Sequence, residues 1–118
     1  MLDNISYMKD FKPLTEEEQT VIAEVVDIIK NAPVIPCTSC EYCIKGCPMQ
    51  IRINEMFRTY NQYVTYNNMD ASKGSYKRAL RDDHGTASAC VQCGQCESIC
   101  PQHLPVIEHL QKVSSLFD

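Results

Sequence analysis

Apolar residues recur at helical spacing in several stretches of the chain, and strand-like alternation is found in none. Thr15-Glu-Glu-Glu18 has the layout of a capping box, with Thr15 as N-cap and Glu18 at the third helical position. Behind it, Val21, Val25, Ile28 and Ile29 share one face, flanked by Ile22 and Val26. That spacing predicts a helix running to Ala32, closed by Pro33 and Pro36. Ile53, Met56, Phe57, Tyr60 and Val64 recur at i, i+3, i+4, i+7 and i+11 and predict a second helix reaching about Asn67. A shorter helix is expected from Ala71 or Ser75 to Asp82, with Tyr76, Ala79 and Leu80 inward and Gly85 as its terminator. The last helix begins near Pro105, a residue suited to a first turn, and carries Val106, Leu110, Val113 and Phe117 in one stripe. Residues 1–14 read as an extended lead-in, and residues 15–118 as one all-α domain.

Length and charge narrow the picture. A chain of 118 residues fits one small domain. Its net charge of -4 argues against nucleic acid or an anionic membrane as the main partner. No apolar run approaches the roughly 18 residues of a membrane span. The N-terminus lacks the basic-then-apolar layout of an export signal, which predicts a cytoplasmic protein. Cysteine changes the picture most, at 8 residues. In a cytoplasmic setting that number points to metal or redox chemistry rather than disulfides.

All eight cysteines lie in two runs: Cys37, Cys40, Cys43, Cys47 before Pro48, and Cys90, Cys93, Cys96, Cys100 before Pro101. Both read C-x-x-C-x-x-C-x-x-x-C-P, and matched cysteines are 53 positions apart. The likeness continues beyond them: Ile51 lies over Leu104, Ile53 over Val106, Glu55 over Glu108 and Phe57 over Leu110. Two copies of one loop-then-helix unit are therefore present, expected to face each other about a pseudo-twofold axis.

This spacing is that of iron–sulfur ligation. A [4Fe–4S] cube needs one thiolate at each iron, and three cysteines two residues apart wrap three corners. In such paired runs the fourth cysteine, before proline, reaches the other cube. Cluster one is thus assigned to Cys37, Cys40, Cys43 and Cys100, and cluster two to Cys90, Cys93, Cys96 and Cys47. Pro48 and Pro101 stiffen the chain after the last ligand, while Ser39, Gly46 and Gly94 allow close backbone approach. Disulfide pairing conflicts with the missing export signal. Structural zinc sites use separated C-x-x-C pairs rather than three evenly spaced cysteines and a fourth before proline. The 42 residues between Cys47 and Cys90 read as helix, so a helical ferredoxin-like architecture fits better than a short strand-based one. Metal ligation should supply much of the folding free energy of so small a body.

The remaining reactive residues read as structural. Tyr60, Tyr63, Tyr66 and Tyr76 are expected to pack, and His84, His103 and His109 to lie at surfaces or boundaries. Lys45 reads as a solvated lysine, and Glu16 to Glu18 as a helix start. No catalytic site is expected in this chain.

Pro36-Cys-Thr-Ser-Cys-Glu-Tyr-Cys, Gly46-Cys-Pro, Ile51 to Phe57, and Gln92 to Pro101 resemble the C-terminal ferredoxin-like domain of iron–sulfur-linked aldo/keto reductase-family oxidoreductases. The resemblance extends back to Phe11-Lys-Pro-Leu-Thr-Glu-Glu-Glu and covers most of the chain; the family usually has proline where Asn54 stands. It implies electron transfer through two [4Fe–4S] clusters, with the aldo/keto reductase barrel of the same parent chain, and a redox partner protein or flavin, as partners. Two other expectations stand beside it: a structural metal-binding interaction module, with zinc or a cluster, and an iron–sulfur subunit of a dehydrogenase complex.

Overall fold

A computed structural model of the protein describes residues 2–9 and 11–118. Its elements are α1 (Leu2–Lys9), α2 (Glu16–Lys30), α3 (Tyr42–Lys45), α4 (Ile53–Tyr66), α5 (Met69–Ala79), a 3₁₀ turn (Ala87–Ala89), α6 (Gln95–Ser98) and α7 (Val106–Phe117). No strand occurs among the described residues, and the fold is all-helical and ferredoxin-like. No helix is long and apolar enough to cross a membrane.

The chain divides into two compact units, residues 1–32 and 33–118. The division falls after Ala32 rather than after residue 14, so α2 belongs with α1 and not with the cysteine loops. Residues 2–9, expected to be extended, form α1: they contain no glycine or proline, and they place Asp3 in the first turn and Lys9 in the last, each complementing the helix dipole. The capping box that starts α2 is present: Glu18 N–H donates to Thr15 Oγ1 at 3.2 Å, and Thr15 N–H to Glu18 Oε2 at 2.8 Å. No residue of α2 is buried, so Val21, Ile22, Val25, Ile28 and Ile29 leave its apolar face exposed.

The core lies in the second unit. α4 packs on α5 and α7, α7 covers the 3₁₀ turn, and α3 packs on α6. α4 buries Ile53, Met56 and Phe57, and α7 buries Val106, Leu110 and Val113, the stripes expected from their spacing. Burying one such side chain contributes about 1.5–3 kcal/mol. Ile51 and Leu104, just before the two helices, complete this layer. Tyr76 also belongs to the core, whereas Tyr66, expected to pack, is 74% exposed.

Two helix bounds differ from expectation. α5 starts earlier because Asn68 caps it, its Oδ1 accepting from Ala71 N–H at 3.0 Å. It also ends earlier, at Ala79, and Gly85 lies beyond it in a loop rather than terminating it. A Cβ on Gly85 would collide with the Met49 carbonyl oxygen, so glycine is required there by close approach to the end of the first cysteine loop. Beside it, His84 Nδ1–H donates to the Gln50 carbonyl at 2.8 Å, a clamp the sequence reading did not foresee.

Candidate metal centre

The two cysteine runs have the same backbone. Residues with φ in the left-handed region recur at matched positions: Ser39 (54°) and Gln92 (54°), Glu41 (66°) and Gly94 (76°), Gln50 (53°) and His103 (50°). Hydrogen bonds recur with them. Gln50 N–H donates to the Cys47 carbonyl and His103 N–H to the Cys100 carbonyl, both at 3.0 Å. Ile53 N–H reaches the Ile51 carbonyl, and Val106 N–H that of Leu104, both at 2.9 Å. Each run thus folds as a left-handed kink, a single helical turn (α3 or α6), and a tight corner after the last cysteine that launches α4 or α7. Glu41 and Ser39 hold a conformation that costs an ordinary residue about 1–2 kcal/mol. Such strain persists only where the surroundings impose it.

Each run is also pinned at its entrance. Ile35, two residues before Cys37, donates its N–H to Asn61 Oδ1 at 2.7 Å, and Asn61 Nδ2 returns a bond to the Ile35 carbonyl at 2.8 Å. Ser88, two residues before Cys90, donates its N–H to Asp118 Oδ2, also at 2.7 Å. The Tyr76 hydroxyl donates to Asp118 Oδ1 and accepts from Ala87 N–H at 2.9 Å. Asn61 and Asp118 were not singled out by sequence reasoning, and Tyr76 was expected only to pack inward. Their own segments carry no motif, and only the repeat, extended two residues before each first cysteine, shows what they hold.

All eight cysteines are free thiols. Cys37, Cys40, Cys43 and Cys100 line one small cavity, walled by Ile53, Phe57, Leu104 and Val106. The first three cysteines of one run and the last of the other are therefore brought to a single opening. Cys47, Cys90 and Cys96 pack against the core, and Cys40 and Cys93, the second cysteine of each run, are the exposed ones. Among the described residues no three Cys, His, Asp or Glu side chains converge on one point where a lone ion would sit. A donor set of thiols spread around an apolar-walled cavity fits a polynuclear cluster, whose ligands are distributed over its corners.

Burial pushes the Cys43 thiol up to about 11, and charge on Cys37, Cys40 and Cys96 adds to the effect. Its counterpart Cys96 is likewise pushed up to about 11, first by burial and then by charge on Cys90. α3, which carries Cys43, packs on α6, which carries Cys96, so the third cysteines of the two runs lie on neighbouring turns. One ligand sulfur already receives a backbone donor: Ser39 N–H points at Cys37 Sγ, 3.4 Å away.

Residues 36–104, which hold both cysteine runs, match the 4Fe-4S dicluster domain family. The chain belongs to this family. Two [4Fe–4S] clusters need eight thiolates, the number this dicluster domain carries. The chain is also similar to acetyl-CoA decarbonylase/synthase complex subunit alpha 1 of Methanosarcina mazei, at 27% identity over 78 residues. That stretch is 66% of this chain and 8% of the relative, so the dicluster domain spans a small part of the relative's length. No solved structure matches the chain significantly.

The histidines stand apart from the thiols. His109 lies edge-on to Phe57, with ring centroids 5.5 Å apart, and burial holds its imidazole below the ordinary histidine range. Lys45 is exposed at the end of α3, as expected of a solvated lysine.

Proposed function

We propose that this chain is the electron-transfer module of a larger oxidoreductase, with Cys37, Cys40, Cys43 and Cys100 holding one [4Fe–4S] cluster and Cys90, Cys93, Cys96 and Cys47 the other. The observation that carries this reading is the doubled cradle inside the family-matched stretch, with ligands of both runs around one cavity. When bound, each cluster supplies a one-electron carrier. The chain's own residues do the rest. Ile53, Phe57, Leu104 and Val106 keep water from one face of the first site. Exposed Cys40 and Cys93 give each site an edge on the surface, where a partner protein or flavin would exchange electrons. The packing of α3, which carries Cys43, on α6, which carries Cys96, supports electron passage between the two sites.

The exposed apolar face of α2 supports a place within a larger body, since a run of large exposed apolar side chains on one helix marks a surface built to be covered. Motif resemblance favours an aldo/keto reductase barrel of the same parent chain as that body. Similarity to a subunit of a multi-subunit complex favours an iron–sulfur subunit of a dehydrogenase complex no less. The parent reading frame separates the two, since an upstream barrel selects the first and a standalone frame the second.

Anaerobic reconstitution tests the module itself. It should yield a brown protein with about eight irons and eight sulfides, reducible by dithionite. A colourless protein with stoichiometric zinc after the same handling refutes the reading and leaves a structural module. Replacing Cys47 should damage the cluster held by Cys90, Cys93 and Cys96; loss of the other cluster alone would reverse the assignment.

A further inference from the structure

Asn54 is the feature of the cavity that its wall does not explain. It is 6% exposed, lies one residue inside α4, and lines the opening shared by Cys37, Cys40, Cys43 and Cys100. Its Nδ2 donates to Glu41 Oε1 at 3.2 Å, and its Oδ1 is buried without any partner. An orphaned amide oxygen in such a place costs about 1–3 kcal/mol, so the amide is not held in its best orientation. Oδ1 itself cannot face the four thiolates favourably, because both are acceptors. The amide nitrogen can: it carries two N–H groups, of which Glu41 takes one. Rotation about the last side-chain torsion is soft, so presenting an N–H to the cavity is an inexpensive adjustment.

The second site has no such group. Position 107, the match of Asn54, is Ile107, and only its backbone N–H is engaged, by Glu97 Oε1 at 2.9 Å. Both helices are thus tied to a glutamate of a cysteine loop, but α4 carries a side-chain amide where α7 carries the apolar Ile107.

We infer that the Asn54 amide is a hydrogen-bond donor to a sulfur of the cluster held by Cys37, Cys40, Cys43 and Cys100, and that it raises this site's potential above that of its twin. The inference rests on the proposed cluster assignment. Donation to sulfur offsets the negative charge gained on reduction, so the reduced state is stabilised at this site alone.

The test is a redox titration followed by electron paramagnetic resonance on the reconstituted full chain, with iron and sulfide counted for every sample. Cys40→Ser, which perturbs one site only, assigns the two midpoints. Asn54→Leu keeps the volume and removes the donor. It should lower the midpoint of the Cys40 site, cutting its reduced-to-oxidised ratio about tenfold at a fixed potential, equivalent to 59 mV for one electron. Asn54→Asp keeps the shape, removes the donor and adds charge, and should lower it further. The second midpoint should stay in place throughout. If fully loaded Asn54→Asp and Asn54→Leu both titrate like the parent, or if the other site's midpoint moves instead, the inference is overturned. If Asn54→Leu does not load, Asn54→Asp alone decides. A parent chain that takes up no iron would refute the cluster assignment, and the inference with it.

Discussion

Removing one hydroxyl at Tyr76 should weaken the whole second cradle. In the native fold this hydroxyl accepts from Ala87 N–H at 2.9 Å, in a residue that is only 2% exposed, and donates to Asp118, which in turn holds Ser88 N–H. Tyr76→Phe leaves the ring stacked on Phe117, with centroids 5.4 Å apart, so packing is unchanged. What is lost is the partner of a buried backbone donor, which costs about 1–3 kcal/mol when orphaned. The assay is anaerobic guanidinium unfolding of reconstituted protein at equal iron load, followed by far-ultraviolet circular dichroism and by cluster absorbance. The variant's unfolding free energy should fall by that amount, and the cluster assigned to the Cys90 run should bleach before the other. pH supplies a second check. Burial, and then Asp118, push the Tyr76 phenol far above its ordinary 10, with the Ala87 N–H opposing them. The native state therefore keeps a proton that the unfolded chain releases above about pH 10, and stability falls as pH rises past that point. Tyr76→Phe should flatten this alkaline slope. A loss below about 0.5 kcal/mol, the range of an ordinary surface change, with an unaltered slope would refute the reasoning.

Gly85→Ala should destabilise the loaded protein by about 1–3 kcal/mol, because the added methyl meets the Met49 carbonyl and can be relieved only by moving the corner after Cys47; an unchanged denaturation midpoint would show that corner to be pliable. A chain trimmed to residues 33–118 should retain the full iron load and the helical spectrum of its core, since that stretch is a compact unit holding every buried hydrophobic residue among those described; failure to load would assign α2 a part in folding.

What was legible in the sequence was whatever depends on local periodicity or on the repeat. The stripes of α4 and α7 follow from 3.6-residue spacing, and the Thr15–Glu18 box from a four-residue pattern. The meeting of Cys100 with Cys37, Cys40 and Cys43 at one cavity was foreseeable only through the chemistry of paired runs, because Cys100 lies 57 to 63 positions from them. The misses have a common cause. α1 is a helix without a buried face, so no apolar pattern announces it. Gly85 looks like a helix stop, yet its role is set by Met49, far away in the chain. Asn61, Tyr76 and Asp118 act on backbone groups, and a backbone N–H has no signature in the sequence.

The repeat itself separates what must be equal in the two sites from what is free to differ. Matched kinks and matched corner hydrogen bonds impose one cradle geometry twice, so the thiolates alone cannot make the sites unequal. Inequality has to come from side chains that change between copies around the same backbone. Glu41 stands against Gly94, Lys45 against Ser98, and Asn54 against Ile107. The Glu41 case is informative, because its backbone has the same left-handed φ as Gly94 and bears a strain that glycine would remove. A glutamate retained there, bonded to Asn54 at the edge of the ligand cavity, stabilises an arrangement the backbone alone disfavours. Under the proposed electron-transfer reading, this unmatched pair, rather than any of the eight cysteines, would make the two sites unequal.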